Sequence, residues 1–154
     1  PCGRAVPSPM QNPYWASTAS TWRSPSPWRC IPTWPFLFVD EIISADDNGS
    51  VSEHTFTENE FFFKGHFPEQ PIVPGAVLTQ MVCNVFSLIT HQKMVLIHAK
   101  KIKFLNLIHP DKTPEICYHI KWDITDNQYY IKCIIDNSTT QFAQMSLTLQ
   151  PQND

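Results

Sequence analysis

Between Ile116 and Ile124 every second residue is large and apolar: Ile116, Tyr118, Ile120, Trp122 and Ile124, with Cys117, His119, Lys121 and Asp123 between them. A period of two puts one set of side chains on each face of a strand, so this stretch is committed to a sheet with one buried face. Asp126-Asn127 then turns the chain into Gln128–Asp136, where Tyr129, Ile131, Cys133 and Ile135 alternate in the same way. Asn137-Ser138 turns it again into Gln141–Leu149. A different period rules Gly75 to His91, where Val77, Leu78, Met81, Val82, Val85, Phe86 and Ile89 recur at steps of one, three and four. That stripe predicts one long helix with a wide buried face. Upstream, Phe36 to Ile43 reads as a first strand, Asp46-Asp47-Asn48-Gly49 as a hairpin turn and Val51–Thr57 as the returning strand. A further strand is read over Ile97–Phe104. Two strands, a helix and an antiparallel meander make an α+β fold, a curved antiparallel sheet wrapped around one long central helix.

The composition divides the chain in two. Residues 1–34 carry three arginines, no lysine, no acid and four of the five tryptophans, without either period. They read as a disordered or non-native lead-in, and 35–150 as the folded domain. Residues 35–154 hold eight lysines against fourteen acids, a net of −6, which argues against nucleic acid as a main partner. No apolar run approaches a membrane span and no signal-peptide pattern opens the chain, so neither is expected. Five cysteines without CxxC spacing fit reduced thiols in a cytoplasmic protein.

The stretch with most chemistry is Phe63-Lys64-Gly65-His66-Phe67-Pro68-Glu69-Gln70-Pro71-Ile72-Val73-Pro74-Gly75. It sets an imidazole on a rigid turn beside a helix N-terminus, where free backbone N–H groups can hold an oxyanion. A base beside oxyanion donors suits removal of a proton next to a thioester carbonyl. The other histidines read as structural or exposed: His54 and His119 as outward strand positions, and His91 at the helix C-terminus. Lys100, Lys101 and Lys103 form the densest basic run. It reads either as protection of a strand edge or as a docking patch for an acidic carrier protein. No phosphate loop, Rossmann glycine set, Ser-His-Asp order or metal-ligand spacing is present, so neither a metal nor a nucleotide cofactor is expected.

Pro35-Phe36-Leu37-Phe38-Val39-Asp40, Gly65-His66-Phe67-Pro68, Pro71-Ile72-Val73-Pro74-Gly75 and Lys103-Phe104-Leu105 with His109-Pro110-Asp111 resemble the 3-hydroxyacyl-acyl-carrier-protein dehydratases of fatty-acid synthesis. The resemblance covers about residues 31–149. It implies a hotdog fold and a homodimer or higher homo-oligomer, with sites at the protomer boundary and an acyl carrier protein thioester as substrate. It further implies His66 as the base acting at C2 and the Gly75 N–H as the oxyanion donor. Phe67, Val73 and Pro74 would lie beside the acyl chain, although core packing explains the apolar pair equally well.

One position departs from that family. Six residues after the proline of Pro-Gly the dehydratases carry a glutamate or aspartate that protonates the leaving hydroxyl; here Gln80 occupies it. An amide can orient a hydroxyl or water but cannot act as a carboxylic acid. Two alternatives to a dehydratase stand, a non-catalytic acyl-thioester-binding subunit paired with an active homologue and a hotdog thioesterase, although the missing acid weakens a thioesterase as much as a dehydratase, since hydrolysis also wants a carboxylate to activate water.

Overall fold

The computed structural model describes residues 39–152 apart from His66 and Pro68. The lead-in 1–34 and the Phe36–Phe38 part of the first expected strand lie outside the described residues. Six strands and one helix follow in the order β1 (Glu41–Ala45), β2 (Gly49–Thr55), α1 (Gly75–Thr90), β3 (Met94–Phe104), β4 (Glu115–Thr125), β5 (Gln128–Asp136) and β6 (Gln141–Pro151). A short 3-10 turn, Phe61–Lys64, lies between β2 and α1. The strands form one antiparallel sheet in the order β1-β2-β4-β5-β6-β3, which makes β3 an edge although it is third in the chain. The sheet curves around α1 as the hotdog fold requires.

The core lies between the helix and the inner face of the sheet. Met81, Val82, Val85 and Phe86 are fully buried. The Phe86 ring meets Trp122 of β4 and Tyr129 of β5 edge to face, at centroid separations of 5.0 and 5.1 Å. The Tyr118 hydroxyl donates to the Met81 thioether at 2.9 Å, so its one polar atom is satisfied within the core. The helix ends where His91 adopts a left-handed conformation, φ 53°, and closes on the carbonyls of Ser87 and Leu88.

Turn chemistry explains the meander. Asp126 and Asn127 both take positive φ, 52° and 59°, which a two-residue hairpin of matching twist demands. At the β1–β2 hairpin the Asp46 N–H donates to the Gly49 carbonyl and its carboxylate accepts the Asn48 N–H.

Two departures from the sequence reading concern faces. His54 does not point outward: it pairs with Ile116 in register and is buried beside it. The inward set on β2 is Ser50, Ser52 and His54, continued by Phe56, because the fully buried Phe56 ring fixes the parity and Val51 and Glu53 fall outside. β3 begins at Met94 rather than Ile97, and irregularities between Leu96 and His98 and between Ala99 and Lys101 break its alternation. Among the described cysteines, Cys83 and Cys133 are buried free thiols.

Candidate active site

The loop that leads into α1 is fixed at both ends. At its start Phe62 and Phe63 are buried, with rings 4.5 Å apart, and Phe62 meets Phe56 edge to face. At its end Val73 is buried in the core, and its N–H donates to the Ile108 carbonyl at 3.0 Å. His66 lies outside the described residues. Its neighbour Phe67 is exposed and left-handed, φ 56°, and its carbonyl accepts the Gln70 N–H in a tight turn. A bulky side chain in that region of backbone space holds about 1–3 kcal/mol of strain, which the anchored loop ends must sustain.

Pro74 is the N-cap of α1, with φ −65° and ψ 140°, and its carbonyl accepts from Val77 and Leu78. No side chain caps this tip. The first N–H groups of a helix have no partner inside it, so the Gly75 end presents donors and the positive end of the helix dipole. Of the described glycines, Gly75 is the most closely approached. A Cβ built there would lie 2.7 and 2.8 Å from the Cε atoms of Phe104, with Cζ nearer still. Glycine at 75 is therefore favoured by an aromatic ring from the end of β3, which any side chain there would displace, a reason that the local sequence does not carry. The Phe104 ring remains half exposed.

Gln80 lies one turn beyond Ala76 on the same side of the helix, and both are exposed. Its amide donates to the Asn84 side chain at 2.9 Å, which directs the amide along the helix. Thr79 donates to the Gly75 carbonyl at 3.1 Å and stiffens the first turn. The structure thus brings together Pro74, Gly75, Phe104 and, a turn on, Gln80; Phe67 stands on the exposed loop and Val73 in the core.

Sequence reasoning missed Phe104 as the partner of Gly75, although Lys103-Phe104-Leu105 had been marked as a motif. It also missed the His54–Asp40 pair. The Asp40 carboxylate contacts His54 Nδ1 at 3.1 Å and accepts the Thr55 N–H at 2.7 Å. Burial pushes the His54 pKa below its ordinary 6.5, outweighing the opposite pull of Asp40 and Glu60. A cavity of about 460 Å³ opens among Glu53, His54, Thr113, Glu115, Cys117 and Asn137, and none of Gly75, Gln80 or Phe104 lines it. Among the described residues no cluster of His, Cys, Asp or Glu is arranged to hold a metal ion. None of the described helices is long and apolar enough to cross a membrane.

Comparison with known proteins agrees with this architecture. The chain is 42% identical over 59 residues to the 3-hydroxyacyl-[acyl-carrier-protein] dehydratase FabZ of Clostridium botulinum, a match over 37% of this chain and 41% of that protein. It therefore spans about two fifths of the length of the curated relatives it matches. Among solved structures it superposes on the dehydratase heterocomplex ApeI:P from Xenorhabdus doucetiae with a TM-score of 0.58 and 18% identity, over 70% of this chain and 91% of that one. Cj0977 of Campylobacter jejuni matches with a TM-score of 0.59 and 12% identity, over 81% of this chain and 83% of that one. At such identities these structures establish the hotdog fold alone. The model of the ApeI-like family, described as ApeI dehydratase, matches residues 43–146, a span that takes in the loop, the helix tip and the strand that carries Phe104. With that match over most of its length, the chain belongs to the ApeI-like dehydratase family.

Proposed function

We propose that this chain is a 3-hydroxyacyl-acyl-carrier-protein dehydratase, which eliminates water from 3-hydroxyacyl thioesters to give trans-2-enoyl thioesters. The observation that carries the reading is the uncapped helix tip at Gly75, one turn ahead of the exposed Gln80. The thioester oxygen would accept the Gly75 N–H, so that negative charge developing on it faces the positive helix end. His66 would take the proton from C2. The C3–O bond then breaks, and the departing hydroxyl takes a proton from the imidazolium and leaves as water. Gln80 would orient that hydroxyl, since its amide has no acidic proton to give.

A pair of protomers supports this chemistry, as the resemblance implies for a homodimer. β3 is a free edge of eleven residues that presents Val95, Leu96 and Ile97 to solvent, and such an edge calls for a partner. The second reading, an acyl-binding subunit that leans on an active partner, is favoured by Gln80 in the acid's place. The ApeI protein of Xenorhabdus doucetiae is itself part of a dehydratase heterocomplex.

The test is incubation with 3-hydroxyacyl-carrier substrates, following enoyl product and free thiol together. Enoyl product that disappears in His66→Ala and rises in Gln80→Glu supports the dehydratase. Removal of the general acid is worth about 10² to 10⁴ in rate, so the Glu variant should gain at least tenfold. Wild type that matches the Glu variant refutes the role given to Gln80, and thiol release without enoyl product makes the protein a thioesterase.

A further inference from the structure

Gln80 and Asn84 stand one turn apart on α1, and one hydrogen bond joins their side chains with a definite polarity. The Gln80 Nε2 donates to the Asn84 Oδ1 at 2.9 Å. Asn84 is only 4% exposed, so packing holds its amide in place, whereas Gln80 is exposed. An amide carries its donor and its acceptor on different sides of one carbon. With the nitrogen drawn to Asn84, the Gln80 carbonyl oxygen Oε1 is the end turned away from it. That oxygen accepts no hydrogen bond among the described residues. Nε2 keeps a second hydrogen, but the nitrogen that carries it is held against Asn84.

This polarity decides what the position can recognise. A protonated carboxyl group donates to a hydroxyl oxygen, whereas a glutamine carbonyl accepts the hydroxyl hydrogen. A 3-hydroxyl group satisfies Oε1. A 3-oxo group has only lone pairs and meets Oε1 acceptor to acceptor, and a saturated chain offers nothing. The spacing suits such a contact. Gly75 and Gln80 are five residues apart, about 7.5 Å of helix rise. Two hydrogen bonds of about 2.9 Å, with the C1 and C3 oxygens of one thioester between them, bridge that span. Ala76, the residue before Gln80 on this side of the helix, is exposed and its methyl leaves the path open.

We propose that Gln80, held by Asn84, reads the substituent at C3 through its carbonyl oxygen and selects 3-hydroxyacyl thioesters over their 3-oxo and saturated counterparts. This rests on the placement of the thioester oxygen at Gly75 in the proposed function. Gln80 touches the substrate and sets specificity; Asn84 is a positioning residue that acts through it. In the elimination Oε1 gives and takes no proton. His66 takes the C2 proton, the C2–H electron pair forms the C2–C3 double bond, the C3–O bond breaks, and the leaving oxygen recovers the proton from the imidazolium. The hydroxyl hydrogen stays on that oxygen, directed at Oε1, and leaves with the water.

The experiment measures binding of three ligands by calorimetry: 3-hydroxyoctanoyl, 3-oxooctanoyl and octanoyl pantetheine analogues in which nitrogen replaces the thioester sulfur. The amide makes the C2 proton far less acidic and keeps the ligand intact. Wild type is compared with Gln80→Leu, Asn84→Leu, Asn84→Asp and Gln80→Glu, with folding verified by circular dichroism. Wild type should bind the 3-hydroxy ligand roughly fivefold more tightly than either other ligand, the worth of one net hydrogen bond. Gln80→Leu, an exposed helix position, should bring the ratio to about one. Asn84→Leu should do the same by freeing Nε2 to serve the 3-oxo group, and Asn84→Asp, which keeps an acceptor for Nε2, should restore the preference. The wild-type ratio should stay flat from about pH 8 to about pH 4, because an amide does not titrate. In Gln80→Glu it should fall towards the acid end as the carboxyl gains a proton that it can donate to the 3-oxo group. A preference that survives Gln80→Leu or Asn84→Leu overturns the proposal, as does a wild type that favours the 3-oxo ligand or binds none of the three. A Gln80-dependent preference without enoyl product from the true thioester supports the acceptor role and refutes the dehydratase. Enoyl product from a wild type without the preference refutes the acceptor role and leaves the dehydratase standing.

Discussion

Gly75→Ala tests whether the contact with Phe104 governs the helix tip. The new methyl would meet the ring within 2.8 Å at both Cε atoms, closer than carbon atoms tolerate, so the ring must swing away. Phe104 is 53% exposed, so about half of its surface is in contact with the protein. A phenylalanine fully buries roughly 200 Å², so full displacement uncovers about 100 Å². At about 25 cal/mol per Å² that costs about 2.5 kcal/mol. Alanine returns up to about 1 kcal/mol through its helix propensity, less at the first helical position. The net loss is therefore about 1–2 kcal/mol, which in a domain of this size lowers Tm by about 4–8 °C. The assay is thermal unfolding of four proteins: wild type, Gly75→Ala, Phe104→Ala and the double variant. With the ring gone the methyl has nothing to strike, so Gly75→Ala should be neutral or stabilising in the Phe104→Ala background, a coupling that the cycle isolates. An equal loss in both backgrounds refutes the account.

Three further outcomes follow from buried polar groups. Because burial lowers the His54 pKa below 6.5, the unfolded chain binds more protons than the folded one between the two values, and stability rises with pH there. Tm should fall as pH is lowered through 6.5 and level off below the folded value, with a smaller fall in His54→Gln; equal slopes for the two proteins contradict this. The Ser52 hydroxyl is fully buried without a hydrogen-bond partner among the described residues, so Ser52→Ala should raise stability by about 1 kcal/mol in urea unfolding, and a loss would show that the hydroxyl is satisfied. Tyr118→Phe removes both the donor and its need for a partner and should cost under about 1 kcal/mol, whereas Met81→Leu leaves the hydroxyl buried and unpaired and should cost about 1–3 kcal/mol. The reverse ranking would refute the hydrogen bond.

The sequence is legible wherever one strand or one helix states its own pattern, and it falls silent where elements meet. β4 and β5 alternate in sequence and share Asp126-Asn127, two residues that accept the left-handed backbone of a tight hairpin, so their bounds followed from the residues and so did their faces, except that Ile124 near the end of β4 is exposed and Cys117 is buried. On β2 the inward set is Ser50, Ser52 and His54, and a rule that sends apolar side chains inward reverses such a strand; the parity was written only in Phe56, one residue past its end. On β3 two irregular steps spoil the period that would have revealed its first turn of sequence, Met94 to Leu96. The same division runs through the functional residues. Pro74-Gly75 announces a helix start, but what favours glycine at position 75 is a ring twenty-nine residues downstream. Side-chain period places a residue on a face, while register decides which residues share that face. Chemistry that depends on several strands at once is therefore fixed by tertiary pairing, and the place of Phe104 at the end of β3 follows from the choice that sets β3 beside β6.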